Sequence, residues 1–84
     1  MRVHFNADFT KAYGRQDDFC GADGGVDFAE TVEDEFKKIT GSKCTATVVD
    51  FDEYVIPEIK DVGQLTRVSE IEHGWYWVAD VKEE

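Results

Sequence analysis

The chain has little of what defines several large classes of protein. Its 84 residues include one proline and two cysteines, and no apolar run approaches the roughly 20 residues that a membrane-spanning helix needs. Lysine and arginine total 9 against 19 aspartates and glutamates, which gives a formal net charge of −10. Because nucleic acids and anionic membranes are both bound through basic residues, this charge argues against either as a direct partner.

The N-terminal segment also lacks the apolar stretch of a signal peptide. We therefore expect a cytoplasmic protein in which Cys20 and Cys44 are two reduced thiols, with a Cys20–Cys44 disulfide as the alternative.

Apolar and aromatic residues are frequent enough for a folded protein. They include six Phe, three Tyr and two Trp, and the apolar share of 42% is ordinary for a globular domain. At this length the chain is expected to form one domain that covers residues 1–84.

The first half of the sequence predicts a strand, a loop and a helix. Residues 3–9 alternate strictly between apolar and polar side chains, with Val3, Phe5, Ala7 and Phe9 on one face, as in a half-buried strand. Four glycines mark residues 14–25 as a loop.

The predicted helix covers residues 26–39. Acids in its first turn, lysines in its last turn and Gly41 after its end suit the helix dipole and a glycine cap. Its apolar stripe consists of Ala29, Val32, Phe36 and Ile39, widened by Phe28.

The second half predicts a strand at residues 43–54, a segment that Pro57 makes either a short helix or a connection, and a hairpin. The hairpin strands are residues 65–71 and 75–81. A two-residue turn at His73-Gly74 competes with a three-residue loop at residues 72–74, which we favour because it gathers the apolar side chains on one face. These are Leu65, Ile71, Trp75, Trp77, Ala79 and Val81.

Together these elements predict an α+β fold in the order β-α-β-(short helix or loop)-β-β, with one helix packed on a mostly antiparallel sheet.

No catalytic or cofactor-binding motif is complete. Cys20 has acids on both sides, which disfavour the thiolate that a nucleophile needs. The glycine-rich run at residues 21–25 lacks both the Gly-Lys-Ser/Thr of a P-loop and the spacing of a dinucleotide-binding loop. The sequence therefore predicts a protein that is not an enzyme and holds no cofactor.

Metal binding is a further alternative without a matching motif. Acids at positions 17, 18, 23 and 27 lack the spacing of a calcium-binding EF-hand, and His4, His73, Cys20 and Cys44 lack the close ligand pairs of structural zinc sites. Asp50 and Asp52 would share one face of a strand about 6–7 Å apart, so a small metal-binding protein or enzyme that uses them with His73 stays open.

The distribution of the acids is the strongest indication of function. Residues 16–36 contain eight acids and no base, and residues 44–59 contain four acids and again no base. On the predicted helix, Asp27, Glu30 and Asp34 line the face opposite the apolar stripe, with Glu33 beside them. Neighbouring side chains on such a face lie about 5–6 Å apart, comparable with successive phosphates on a nucleic-acid strand. Plain solubility and a halophilic origin are the alternative explanations.

In these acidic windows the chain resembles phage-encoded inhibitors such as anti-CRISPR and DNA-mimic proteins, which are short, acidic, single-domain and without catalytic motifs. The resemblance implies that carboxylates pair with the Arg and Lys residues that would otherwise hold phosphates, while nearby aromatics anchor the contact. For a phage-encoded protein it also implies action in the host cytoplasm.

We therefore expect a non-enzymatic inhibitor or interaction protein that occludes a basic, nucleic-acid-binding surface of a partner protein. The predicted partner-binding residues are Asp17, Asp18, Asp23, Glu30, Glu33, Asp34, Asp50 and Asp52. The alternative is a structural or accessory module that docks through an apolar sheet face at Tyr76 and Val78, covered by a partner or by a second copy in a homodimer.

Overall fold

One helix packs on a four-stranded antiparallel sheet. The computed structural model describes residues 3–6, 8–55 and 73–84. Along the chain these form β1 (Val3–Phe5), β2 (Lys11–Arg15), a short 3₁₀ helix (Gln16–Asp18), α1 (Gly24–Thr40), β3 (Cys44–Val55) and β4 (His73–Glu83). The strands lie in the order β1-β2-β4-β3. The predicted α+β class is confirmed, but two strands rather than one precede the helix.

The predicted strand at residues 3–9 is too long, because the chain reverses direction after Phe5. The side chain of Asn6 stabilises the reversal: its Oδ1 accepts hydrogen bonds from the backbone N–H groups of Thr10 and Lys11, each at 2.9 Å. Phe9 has a φ of 59°, which no strand residue adopts, while Ala7 lies outside the described residues. The residues after the turn form β2, so the predicted loop at residues 14–25 begins too early.

Gly14 lies within β2 and does not break it. A Cβ atom at this position would lie 2.6 Å from the Phe28 ring and 2.8 Å from the Phe19 ring. The glycine therefore serves close packing, because it lets α1 approach the backbone of β2.

The helix confirms the prediction closely. It begins two residues earlier than predicted and ends before Gly41, whose φ of 79° and N–H bond to the Lys37 carbonyl (2.8 Å) form the expected glycine cap. Phe28, Val32 and Phe36 are buried against the sheet. Within the described residues, no helix combines the length and apolar character needed to cross a membrane.

The predicted strand at residues 43–54 is confirmed as β3. Both predicted turns, the two-residue turn at His73-Gly74 and the three-residue loop at residues 72–74, are wrong. His73 and Gly74 belong to β4 and pair with Val55 and Tyr54. Residues 65–71, including Leu65 and Ile71, lie outside the described residues, as does Pro57.

The predicted inner face of the last strand is confirmed in most positions. Ala79 and Val81 belong to the core and Trp77 packs against it, whereas Trp75 is 48% exposed. On the other sheet face Tyr76 and Val78 are buried, with exposed fractions of 0% and 4%. His4, which lies between Val3 and Phe5 in β1, is also buried, with an exposed fraction of 9%. The apolar face that the docking-module alternative requires is therefore not open at Tyr76 and Val78.

We expect Gly14→Ala to lower the free energy of unfolding by about 1–3 kcal/mol, because the added methyl group overlaps two phenyl rings. Gly25→Ala is the matched control, since its Cβ would meet the Trp77 ring at 3.4 Å and alanine is the better helix residue. Urea denaturation of both variants measures the difference. A Gly14→Ala protein as stable as wild type would show that the rings move aside without cost.

Candidate functional site

The solvent-facing side of α1 carries a row of carboxylates. Asp27, Glu30 and Asp34 are exposed, on the side of the helix opposite Phe28 and Val32. At 1.5 Å rise per residue, the row extends about 10 Å along the helix axis. Within the described part of the chain, none of these three acids forms an ion pair. We call Asp27, Glu30 and Asp34 the helix acidic row.

The two basic residues of β2 lie on the face of the sheet that points away from the helix acidic row. Lys11 and Arg15 flank Ala12 and Gly14, which face α1, so the two basic side chains lie on the other sheet face. There Lys11 pairs with Asp80, and an Arg15 nitrogen lies 3.5 Å from a carboxylate oxygen of Asp17. The helix itself has lysines only in its last turn. Lys11 and Arg15 are therefore separated from the helix acidic row, whereas Lys37 and Lys43 line a pocket together with Asp34 at its C-terminal end.

Glu33, although predicted to bind a partner, has a structural contact. Its side chain is half-buried, and its Oε2 accepts a hydrogen bond of 3.0 Å from the backbone N–H of Ala46 in β3. This bond joins the helix to the adjacent strand. Reversing the charge of Glu33 would therefore disturb the fold together with the surface.

Asp50 and Asp52 lie on the same face of β3, as predicted, but not on the face that α1 covers. They pair across the sheet with Val78 and Tyr76, which alternate with the core-facing residues of β4. Each aspartate accepts a hydrogen bond from the N–H of the next residue, Phe51 at 2.8 Å and Glu53 at 2.7 Å. The eight predicted acids therefore do not form one surface.

The three predicted acids that precede α1 are exposed, and one of them, Asp17, contacts Arg15. Asp17 and Asp18 are exposed in the 3₁₀ helix, and Asp23 is exposed at the residue before α1. The Asp23 side chain caps no helix N–H group. Negative charge at this end is favoured by the helix dipole, which reduces the cost of concentrating acids there.

An aromatic cluster that the sequence analysis did not single out lies on the helix-facing side of β3 and β4. The rings of Phe51 and Trp75 stack with their centroids 5.4 Å apart. The centroids of the Phe51 and Trp77 rings are 4.4 Å apart. Trp77 lies beside the first turn of α1, where a Cβ atom at Gly25 would meet its ring at 3.4 Å, and its Nε1 donates to the Phe19 carbonyl at 3.1 Å. The sequence does indicate part of this cluster, because Trp75 and Trp77 are two residues apart and therefore lie on the same face of a strand. What it did not show is that the helix covers one tryptophan and leaves the other half exposed.

A shallow pocket of about 280 Å³ lies between the C-terminal half of α1 and the start of β3. Its lining mixes both charges and contains a thiol: Glu33, Asp34, Lys37, Lys43, Cys44 and Glu84. Burial raises the pKa of the Cys44 thiol, and the nearby negative charges of Glu33 and Glu84 raise it further. A thiol held in its neutral form is a poor nucleophile, so this pocket does not support cysteine chemistry.

Cys20 and Cys44 are both free thiols, the first exposed and the second buried, so the alternative of a disulfide is not realised. Among residues 3–6, 8–55 and 73–84, no three His, Cys, Asp or Glu side chains are placed to hold a metal ion together.

No protein-family model matches the chain, and no curated protein or solved structure shows significant similarity to it.

We expect the two thiols to differ at least ten-fold in their rate of labelling by a maleimide at pH 8. Cys20 is exposed and should react first. The raised pKa of Cys44 means that its labelling rate continues to rise at pH values where an ordinary thiol is already ionised. Single variants Cys20→Ser and Cys44→Ser assign the rates by mass spectrometry. Equal rates, or a disulfide formed without added oxidant, would contradict this arrangement.

Proposed function

We propose that this protein is a non-enzymatic interaction protein that acts in the cytoplasm and occludes a basic, nucleic-acid-binding surface of a partner protein. The observation that supports the proposal is the helix acidic row, whose members are exposed and form no ion pair within the described residues. The resemblance to short acidic inhibitors in size and charge points to the same class of partner.

The spacing of the row suits a surface that binds phosphates. Side chains three or four residues apart on a helix lie about 5–6 Å from each other, so arginines and lysines spaced for successive phosphates can meet successive carboxylates. The net charge of −10 accelerates the encounter with a basic partner. Such a contact weakens as salt rises, because the screening length falls from about 10 Å at 0.1 M to about 3 Å at 1 M.

Trp75 supports the same proposal as the apolar part of the contact. It is half exposed, and its stacking on Phe51 holds the ring in place, so ordering it on binding costs little entropy. Tryptophan is enriched among the residues that dominate interface energies, and arginine binds favourably on its face. Trp75 stacks on Phe51, the Phe51 ring packs on Trp77, and Trp77 lies beside Gly25 in α1, so the cluster connects the anchor to the helix that carries the acidic row.

We expect Glu30→Lys to weaken partner binding by about ten-fold or more, because an attractive charge becomes repulsive. Glu83→Lys is the matched control: it changes the net charge by the same amount at the C-terminal end, where Glu83 is exposed. Glu33 stays unchanged in both because it bonds to β3. Each protein is immobilised, exposed to lysate at 0.1 M salt and eluted at 1 M salt, and competition with DNA or RNA is measured in parallel.

The supporting result is a nucleic-acid-binding protein that wild type and the C-terminal control capture, that the helix variant does not, and that nucleic acid displaces. Equal capture by all three proteins, or a partner that is indifferent to salt and nucleic acid, would overturn the proposal.

We expect Trp75→Ala to reduce the affinity for the captured partner by about 30-fold, the effect of a residue worth about 2 kcal/mol at an interface. Val49→Ala is the control, because Val49 has a similar exposed fraction of 49% but lies at a strand irregularity and not in the aromatic cluster. Trp75→Phe should restore part of the affinity by keeping an aromatic ring. Titration calorimetry measures all three, and an unchanged affinity of Trp75→Ala would remove Trp75 from the contact.

A further inference from the structure

β3 lies at an edge of the sheet, since β4 is its one neighbour among the described strands. It is 12 residues long and its first half is rich in threonine, valine and alanine. Val49 is 49% exposed there. A long edge strand of this composition offers unpaired backbone groups to another strand and is a site where copies of a protein associate.

The register of the sheet shows which N–H groups of β3 point outward. The N–H of Val81 in β4 bonds to the carbonyl of Thr10, on the β2 side, at 2.9 Å. Because backbone groups alternate along a strand, the odd-numbered residues of β4 point toward β2 and the even-numbered ones toward β3. Residues of β3 that pair with odd-numbered residues of β4 therefore direct their N–H groups away from the sheet. Among them are Ala46, Phe51 and Glu53.

A carboxylate accepts a hydrogen bond from each of these three outward N–H groups. Ala46 donates to Oε2 of Glu33 at 3.0 Å. Phe51 and Glu53 each donate to Oδ1 of the preceding aspartate, at 2.8 Å and 2.7 Å. The remaining outward position between Ala46 and Glu53 is Val48, and the register shifts directly after it, at Val49, which has no partner in β4.

We propose that Glu33, Asp50 and Asp52 prevent the edge of β3 from pairing with β3 of a second copy of this chain. Their oxygens occupy the N–H groups that an added strand would need as donors. The irregularity at Val49 interrupts the run next to Val48, and bulges are a recognised means of protecting a sheet edge. Three of the acids that the sequence assigned to partner binding thus have a different role, one that concerns the protein's own monomeric state.

The acids could oppose self-association through these hydrogen bonds or through charge repulsion between copies. Two double variants at the edge distinguish the two causes, and a third, on the helix, is the control. Asp50→Asn/Asp52→Asn removes both charges but keeps a side-chain oxygen that accepts the same hydrogen bond. Asp50→Ala/Asp52→Ala removes the charge and the acceptor. Glu30→Ala/Asp34→Ala removes two charges from the helix face and leaves the edge untouched.

Self-association is measured by sedimentation as a function of protein concentration. We expect the Asp50→Ala/Asp52→Ala protein to associate at least ten-fold more strongly than wild type, with the asparagine and helix variants close to wild type. In that alanine variant the amides of Phe51 and Glu53 should exchange hydrogen more slowly at high protein concentration than at low concentration, because they then donate to a second copy.

Three results would overturn the proposal. The first is an alanine variant that associates no more than wild type, and the second is an asparagine variant that associates as strongly as the alanine variant. The third is an assembly in which exchange at Phe51 and Glu53 does not depend on concentration. If the double alanine variant does not fold, Glu33→Ala against Glu33→Gln makes the same comparison at Ala46, with the same expected order. None of these outcomes depends on the helix acidic row, so this inference and the proposed function fail independently.

Discussion

The close approach of α1 to β2 at Gly14 is the constraint on which the arrangement of the surface depends. The Phe28 ring lies over a position where even a methyl group would overlap it, and Phe19 closes the same site from the side. This contact turns the apolar stripe of the helix toward the sheet and therefore turns the helix acidic row toward solvent. It also brings Trp77 against the first turn of the helix, which leaves Trp75 beyond the helix and half exposed.

The acids of this chain have different roles that their charge alone does not distinguish. Asp80 and Asp17 neutralise basic side chains on the far sheet face, and Glu33 joins the helix to β3. The helix acidic row has no such contact within the described residues. Concentrated like charge opposes compactness, and a small domain has a narrow stability margin, so exposed acids without an internal contact are the ones that carry the functional proposal.

Sequence patterns predicted the long elements better than the short ones. The helix, its glycine cap and β3 were recognised because their periodicity extends over many residues. The turn after β1 was missed because it depends on the Asn6 side chain binding backbone groups four and five residues away, which alternation of apolar residues cannot indicate. Composition alone predicts a chain break at Gly14, because the packing that requires a glycine there comes from Phe28, which is distant in sequence.

The sequence by itself determined the α+β class, the inward stripe of the helix and the excess of acids, because each follows from local periodicity or composition. The tertiary structure decided which acids are available to a partner. It directed Glu33, Asp50 and Asp52 to backbone N–H groups of β3 and separated Lys11 and Arg15 from the helix face. The physical reason is that the hydrogen-bond partner of a side chain, and the sheet face on which it lies, depend on the register between strands and on the position of the helix on the sheet. Both arise from contacts between residues far apart in the chain.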